Sequence, residues 1–137
     1  MALLKTINMT VVGAAVLGIL TISIIPAQAG NGEIRLKAKM VNGAASGQAD
    51  YRQKGNESRL NVQAEDLPSS AGPSLPVFVG PTNGMAQVGT MILQACPPPA
   101  QALLCGELEL NTKDGQTVPH VERGYTVTVG NILSGNF

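Results

Sequence analysis

Tryptophan is absent from this 137-residue chain, and two tyrosines and two phenylalanines are its only aromatics. A carbohydrate cleft built on indole faces is thereby excluded, and few planar side chains remain to stack on sugars or bases. Charge is also scarce. Lys and Arg together number nine, as do Asp and Glu. The dense basic surface that a phosphate backbone rewards is missing, so no nucleic-acid partner is expected. The sixteen glycines are dispersed among turns, none in the strand-to-helix setting that cradles phosphates, and no cofactor is expected.

One long apolar run is present. After MALLKTINMT, with its single lysine, Val11 to Ile25 carries no charged side chain, and Ala27 and Ala29 then place small residues before Gly30. This is the layout of a secretory signal with a cut ahead of Gly30. The expected organisation is a signal over residues 1–29 and a single all-β domain over 30–137, secreted or periplasmic, with no stable membrane insertion after cleavage. The alternative is a retained anchor, since fifteen apolar residues approach the roughly twenty that span a bilayer.

Beyond Gly30, hydrophobic residues alternate with a period of two. In IRLKAKMV, Ile34, Leu36, Ala38 and Met40 share one side and Arg35, Lys37 and Lys39 the other. The basic side is read as a solvated face, with an anion-binding strip as its functional alternative. GQADYRQ and ESRLNVQAE flank a tight turn at Lys54, Gly55 and Asn56 and form a hairpin, with Leu60, Val62 and Ala64 facing inward. A loop of roughly ten residues over DLPSSAGPSLP leads to VFVG, and PTNG turns the chain again. MAQVGTMILQA reads as a central strand with apolar neighbours on both sides, and Gly89 within it marks a bulge or a close backbone approach. LLCGELELNT, GYTVTVG and a terminal edge strand in NILSGNF complete seven or eight short strands. The fold class is all-β: a small antiparallel β-sandwich or a closed β-barrel.

The only cysteines, Cys96 and Cys105, bracket a segment that opens with three prolines. Thioredoxin-like exchange needs two cysteines two residues apart beside a helix start. A structural zinc site needs four ligands, and Cys96, Cys105 and His120 are the only thiol and imidazole groups on offer. A structural disulfide requires only that the two strand ends meet, and export supplies the oxidising setting. Cys105 falls on the same face as Glu107 and Glu109, so the bridge is expected on the wet side or the rim. Pro97, Pro98, Pro99 and Leu103 of the clipped loop form the candidate contact surface, because a preordered loop loses little entropy on binding.

The signals for catalysis and metals are weaker. His120 has Glu122 and Asp114 near it in sequence, but Ser46, Ser58, Ser69, Ser70 and Ser134 all lie outside a nucleophile elbow. Glu107 and Glu109 share a strand face without the apolar surroundings that raise a carboxyl pKa. Glu65 and Asp66 at a strand end are too few oxygens for a typical calcium site. No metal is therefore expected. Asn56-Glu57-Ser58 is a glycosylation sequon on a turn. The expected function is a non-catalytic module that binds a protein, an extracellular polymer or a surface through its loops. Two alternatives stand beside it: a structural protein that assembles with its own copies through open edges such as NILSGNF or VFVG, and a hydrolase.

Overall fold

The computed structural model describes residues 32–137, so the signal expected over residues 1–29 lies outside the described residues. The strands are β1 (Glu33–Asn42), β2 (Ala45–Lys54), β3 (Glu57–Leu67), β4 (Ser74–Gly80), β5 (Ala86–Ala95), β6 (Leu104–Asn111), β7 (Thr126–Val129) and β8 (Leu133–Asn136). They form one sheet in the order β1-β2-β3-β6-β5-β4-β7-β8. Short 3₁₀ turns occupy Ser69–Ala71 and Thr112–Asp114. Among the described residues there is no α-helix, and no helix is long and apolar enough to cross a membrane.

Of the two architectures left open by the sequence, this antiparallel sheet, which nearly closes on itself, answers to the barrel. The closing seam lies between β1 and β8. The Asn42 side-chain amide donates to the Ile132 carbonyl at 2.9 Å. A Cβ on Gly135 of β8 would overlap the Lys39 carbonyl oxygen of β1 and lie 2.9 Å from Met40 Cγ. Only a residue without a side chain lets the two strands come this close.

The alternation read from the sequence supplies the interior. Leu36, Ala38 and Met40 of β1, Leu60, Val62 and Ala64 of β3, and Val127 and Val129 of β7 are all buried in one core. An eight-stranded barrel has room inside for side chains and little else. Small residues therefore alternate with large ones. A Cβ on Gly47 would sit 3.0 Å from Met40 Cε, and one on Gly106 would sit 2.7 Å from Met91 Cγ. Methionine, unbranched and adaptable, fills the space that glycine leaves.

Register explains the remaining strands. β2 and β3 meet at Gly55, whose φ is +61°, and pair from Lys54↔Glu57 to Ser46↔Glu65. β5 is central, between β4 and β6. Its partners step from Val77↔Gly89 to Phe78↔Gln87, which leaves Val88 as the extra residue of a bulge. A Cβ on Gly89 would lie 2.9 Å from Leu108 Cδ2, so this glycine combines bulge and close approach.

Four details correct the sequence reading. Ile34, placed on the apolar side, is 45% exposed at the start of β1. Ile92 is 60% exposed, so β5 buries Met91 and Leu93 on one face and shows Ile92 to solvent on the other. The loop after β3 shortens to Pro68–Pro73 because both flanking strands extend further than their apolar patterns. VFVG is not an edge: it belongs to β4, which is hydrogen-bonded to β5 on one side and β7 on the other. NILSGNF does supply the last strand of the sheet, β8, but the free side of β8 faces β1 across the seam.

Gly135→Ala is expected to destabilise the barrel by at least about 2 kcal/mol more than Gly43→Ala, because it adds overlap in a packed seam. Gly43, at φ +63° with nothing within 4 Å of its would-be Cβ, carries only the left-handed backbone cost of about 1 kcal/mol. Equal denaturation midpoints for the two variants would contradict the seam.

Candidate functional site

β5 ends where Cys96 begins a narrow loop, and β6 brings Cys105 back beside it. The disulfide joins them, with an S–S distance of 2.04 Å and Cα atoms 4.9 Å apart. The loop is held from within as well: Cys96 N–H donates to Leu103 O at 2.9 Å, Ala100 N–H to Pro97 O at 3.0 Å and Leu103 N–H to Ala100 O at 3.0 Å. The Pro98–Pro99 peptide is cis. Pro97, Pro98 and Pro99 are exposed, whereas Leu103 is half-buried and offers only part of its side chain. The expectation of a wet-side bridge holds for Cys105 but not for Cys96, which is 3% exposed. Cys96 nevertheless stands outside the core cluster.

The feature that sequence reasoning missed lies across from this loop, on β3. Its pairing with β6 steps from Ala64↔Gly106 to Leu67↔Leu104, three residues against two. The bulge places Asp66 at φ 57°, the left-handed region that non-glycine residues seldom occupy and that Asp tolerates better than most. As a result Asp66 turns toward the bridge, its carboxylate and the two sulfurs lying within 4.8 Å of one another. Both sulfurs are spent on the covalent bond, and it is the thiolate that ligates metals. With the bridge closed, this trio therefore offers a cation one carboxylate. The only sequence signal was an acidic pair just before Leu-Pro, which gives no hint of the bulge.

Between the loop and β3 lies an open concavity of about 480 Å³, lined by Gln63, Glu65, Asp66, Pro97, Ala100 and Glu107 together with the disulfide. Glu107 is fixed there by its neighbours: Asn61 Nδ2 donates to its Oε2 at 2.5 Å and Gln63 Nε2 to the same oxygen at 3.4 Å. Those hydrogen bonds, aided by the Arg59 charge and opposed by slight desolvation, hold its carboxyl below the ordinary range. Glu109, opposite Asn61 in register, pairs with Arg59 instead. The two glutamates thus hold separate hydrogen-bond and ion-pair partners, and the surroundings of Glu107 favour its ionised form.

The other sequence candidates fall elsewhere. His120 is exposed, and its Nε2 lies 3.1 Å from Glu122 Oε2. Among the described residues no serine hydroxyl is bonded to it. Ser58 is engaged through its backbone, whose N–H donates to Thr112 Oγ1 at 3.0 Å. Asn56 of the sequon is exposed on the β2–β3 turn. No family model matches the chain, and neither a characterised protein nor a solved structure matches it.

Closing a loop of this length is worth about 2.5 kcal/mol in chain entropy. Cys96→Ser/Cys105→Ser is expected to keep its β-type far-ultraviolet dichroism while unfolding roughly 10–20 °C lower. An unchanged melting temperature would show that the bridge carries no stability.

The Glu107 shift has a definite sign. A carboxyl whose folded pKa is depressed contributes stability above its unfolded pKa, and that contribution is lost as pH falls through the lower, folded value. Asn61→Ala is expected to move the Glu107 titration, followed by carboxyl NMR, upward toward the ordinary range. A titration indifferent to Asn61 would refute this hydrogen bond as the main cause.

Proposed function

We propose that the protein is an exported, non-catalytic binding module that holds a protein or extracellular polymer with the clipped loop and the groove at its foot. The observation that carries this reading is the loop itself. Three exposed prolines stand between two strands, closed by a disulfide and by hydrogen bonds across the neck. A surface ordered in advance has little conformational entropy left to lose when a partner arrives. The groove beside it adds polar groups of fixed orientation, Glu107 held by Asn61 and Asp66 by the bulge. That combination of a rigid rim and a few placed polar groups suits recognition.

The non-catalytic part rests on the chemistry around the candidate acids and bases. The Glu107 carboxyl is kept ionised, and His120 pairs with Glu122 in solvent. Assembly of copies through strand edges draws less support, since β4 is internal and β8 is backed by β1.

A photo-crosslinking side chain at position 98, compared with one at position 54 at the hairpin end of β2, tests the reading on the intact protein in its native extracellular milieu. Adducts to a partner from position 98 and not from position 54 are expected. Adducts equally from both positions, or from position 54 alone, would move the contact surface away from the loop. Adducts only to other copies of the chain would favour assembly.

A further inference from the structure

Opening the disulfide changes what the corner at the foot of the loop can bind. A carboxylate oxygen of Asp66 and the sulfurs of Cys96 and Cys105 lie within 4.8 Å of one another. Glu107 and Glu109 nearby are tied to side-chain partners, but among the described residues no hydrogen bond or ion pair engages the Asp66 carboxylate. Its position is imposed by the β3 bulge, where φ is 57°. Non-glycine residues adopt that backbone region at a cost, and such outliers collect at functional sites. The two sulfurs are held together by more than their bond. β5 and β6 pair beside the bridge through Gln94↔Cys105 and Ala95↔Leu104, and Cys96 N–H donates to Leu103 O across the neck. These contacts keep the two side chains adjacent when the bridge is open.

We propose that reduction of the Cys96–Cys105 bridge creates a binding site for a thiophilic divalent cation such as zinc, with both sulfurs and an Asp66 oxygen as its ligands. The reductant is a dithiol. It gives two electrons and two protons to the bridge, the sulfur–sulfur bond breaks to leave two thiols, and the dithiol closes to its own disulfide. The cation then displaces both thiol protons to solvent, because the thiolate is the ligand. Two thiolates and one carboxylate suit zinc and do not suit magnesium or calcium, which take oxygen shells. Three protein ligands leave the fourth tetrahedral position to water. Water reaches it from the open concavity of about 480 Å³ that the two cysteines and Asp66 line. Cys96 is buried and Cys105 and Asp66 are half-buried, so the cation is seated at the floor of that concavity. This site does not rest on the binding role of the loop, which uses the bridge closed.

Cobalt(II) titration of the purified protein, reduced with a phosphine that is then removed, reads the site by absorption. The reduced protein is expected to show thiolate-to-metal charge-transfer bands that saturate at one equivalent and vanish when zinc is added. The oxidised protein is expected to show none. Asp66→Asn keeps a residue that tolerates left-handed backbone. It is expected to weaken cobalt binding at least about tenfold, since losing even a group behind a metal ligand costs that much. Glu65→Gln, beside it on the same concavity, is expected to leave binding unchanged. Zinc is also expected to raise the melting temperature of the reduced parent and not of the oxidised one, which decides the matter should Asp66→Asn fail to fold. The proposal is overturned by a reduced protein without the bands, by equal cobalt affinity in Asp66→Asn and the parent, by an equal loss in Glu65→Gln, or by zinc stabilising both redox states alike. Crosslinking from position 98 is read on the oxidised protein, so the binding role of the loop and this metal site stand or fall separately.

Discussion

Everything in this fold depends on bringing β8 against β1. Strands with a two-residue period can hide one face only if that face looks into a space with no open side. Gly135 makes the last approach possible by presenting bare backbone to the Lys39 carbonyl, and Asn42 fastens the same seam to the Ile132 carbonyl. Once the seam is shut, the interior is narrow, and its composition follows. Glycine at 47, 106 and 135 lies against methionine at 40 and 91, and alanine fills positions 38, 45, 49 and 64. The same closure sets the two end strands, β1 and β8, beside each other.

A closed scaffold fixes the outer faces as firmly as the inner ones. Each inward residue sets the direction of its neighbours, so Arg52 and Arg59 are outward because Tyr51 and Leu60 are inward. Glu107 and Gln63 line the concavity beside the disulfide on this same wall.

Much of this was legible in the residues, because it depends on local period and turn chemistry. Leu60, Val62 and Ala64 alternate cleanly; Gly55 supplies a positive φ where the hairpin turns; Gly89 interrupts an apolar run where the strand bulges. The disulfide followed from two cysteines at adjacent strand ends. What could not be read depends on partners distant in the chain. The order that sets β3 beside β6 and β4 beside β7 decides that VFVG is internal, and no property of those four residues announces it. Asp66 looked like the end of a strand, since its left-handed backbone arises from a register mismatch with β6 some forty residues later. Arg52 and Arg59 seemed unrelated until the register set them opposite each other.

The most direct test of the closed sheet is a nuclear Overhauser measurement on the isotope-labelled protein. The seam requires cross-peaks between the Gly135 α protons and protons of Lys39 and Met40, residues nearly a hundred positions away in sequence. Their absence, with β1 and β8 showing contacts only to β2 and β7, would mean an open sheet, and the account of its packed interior and backed edges would fail.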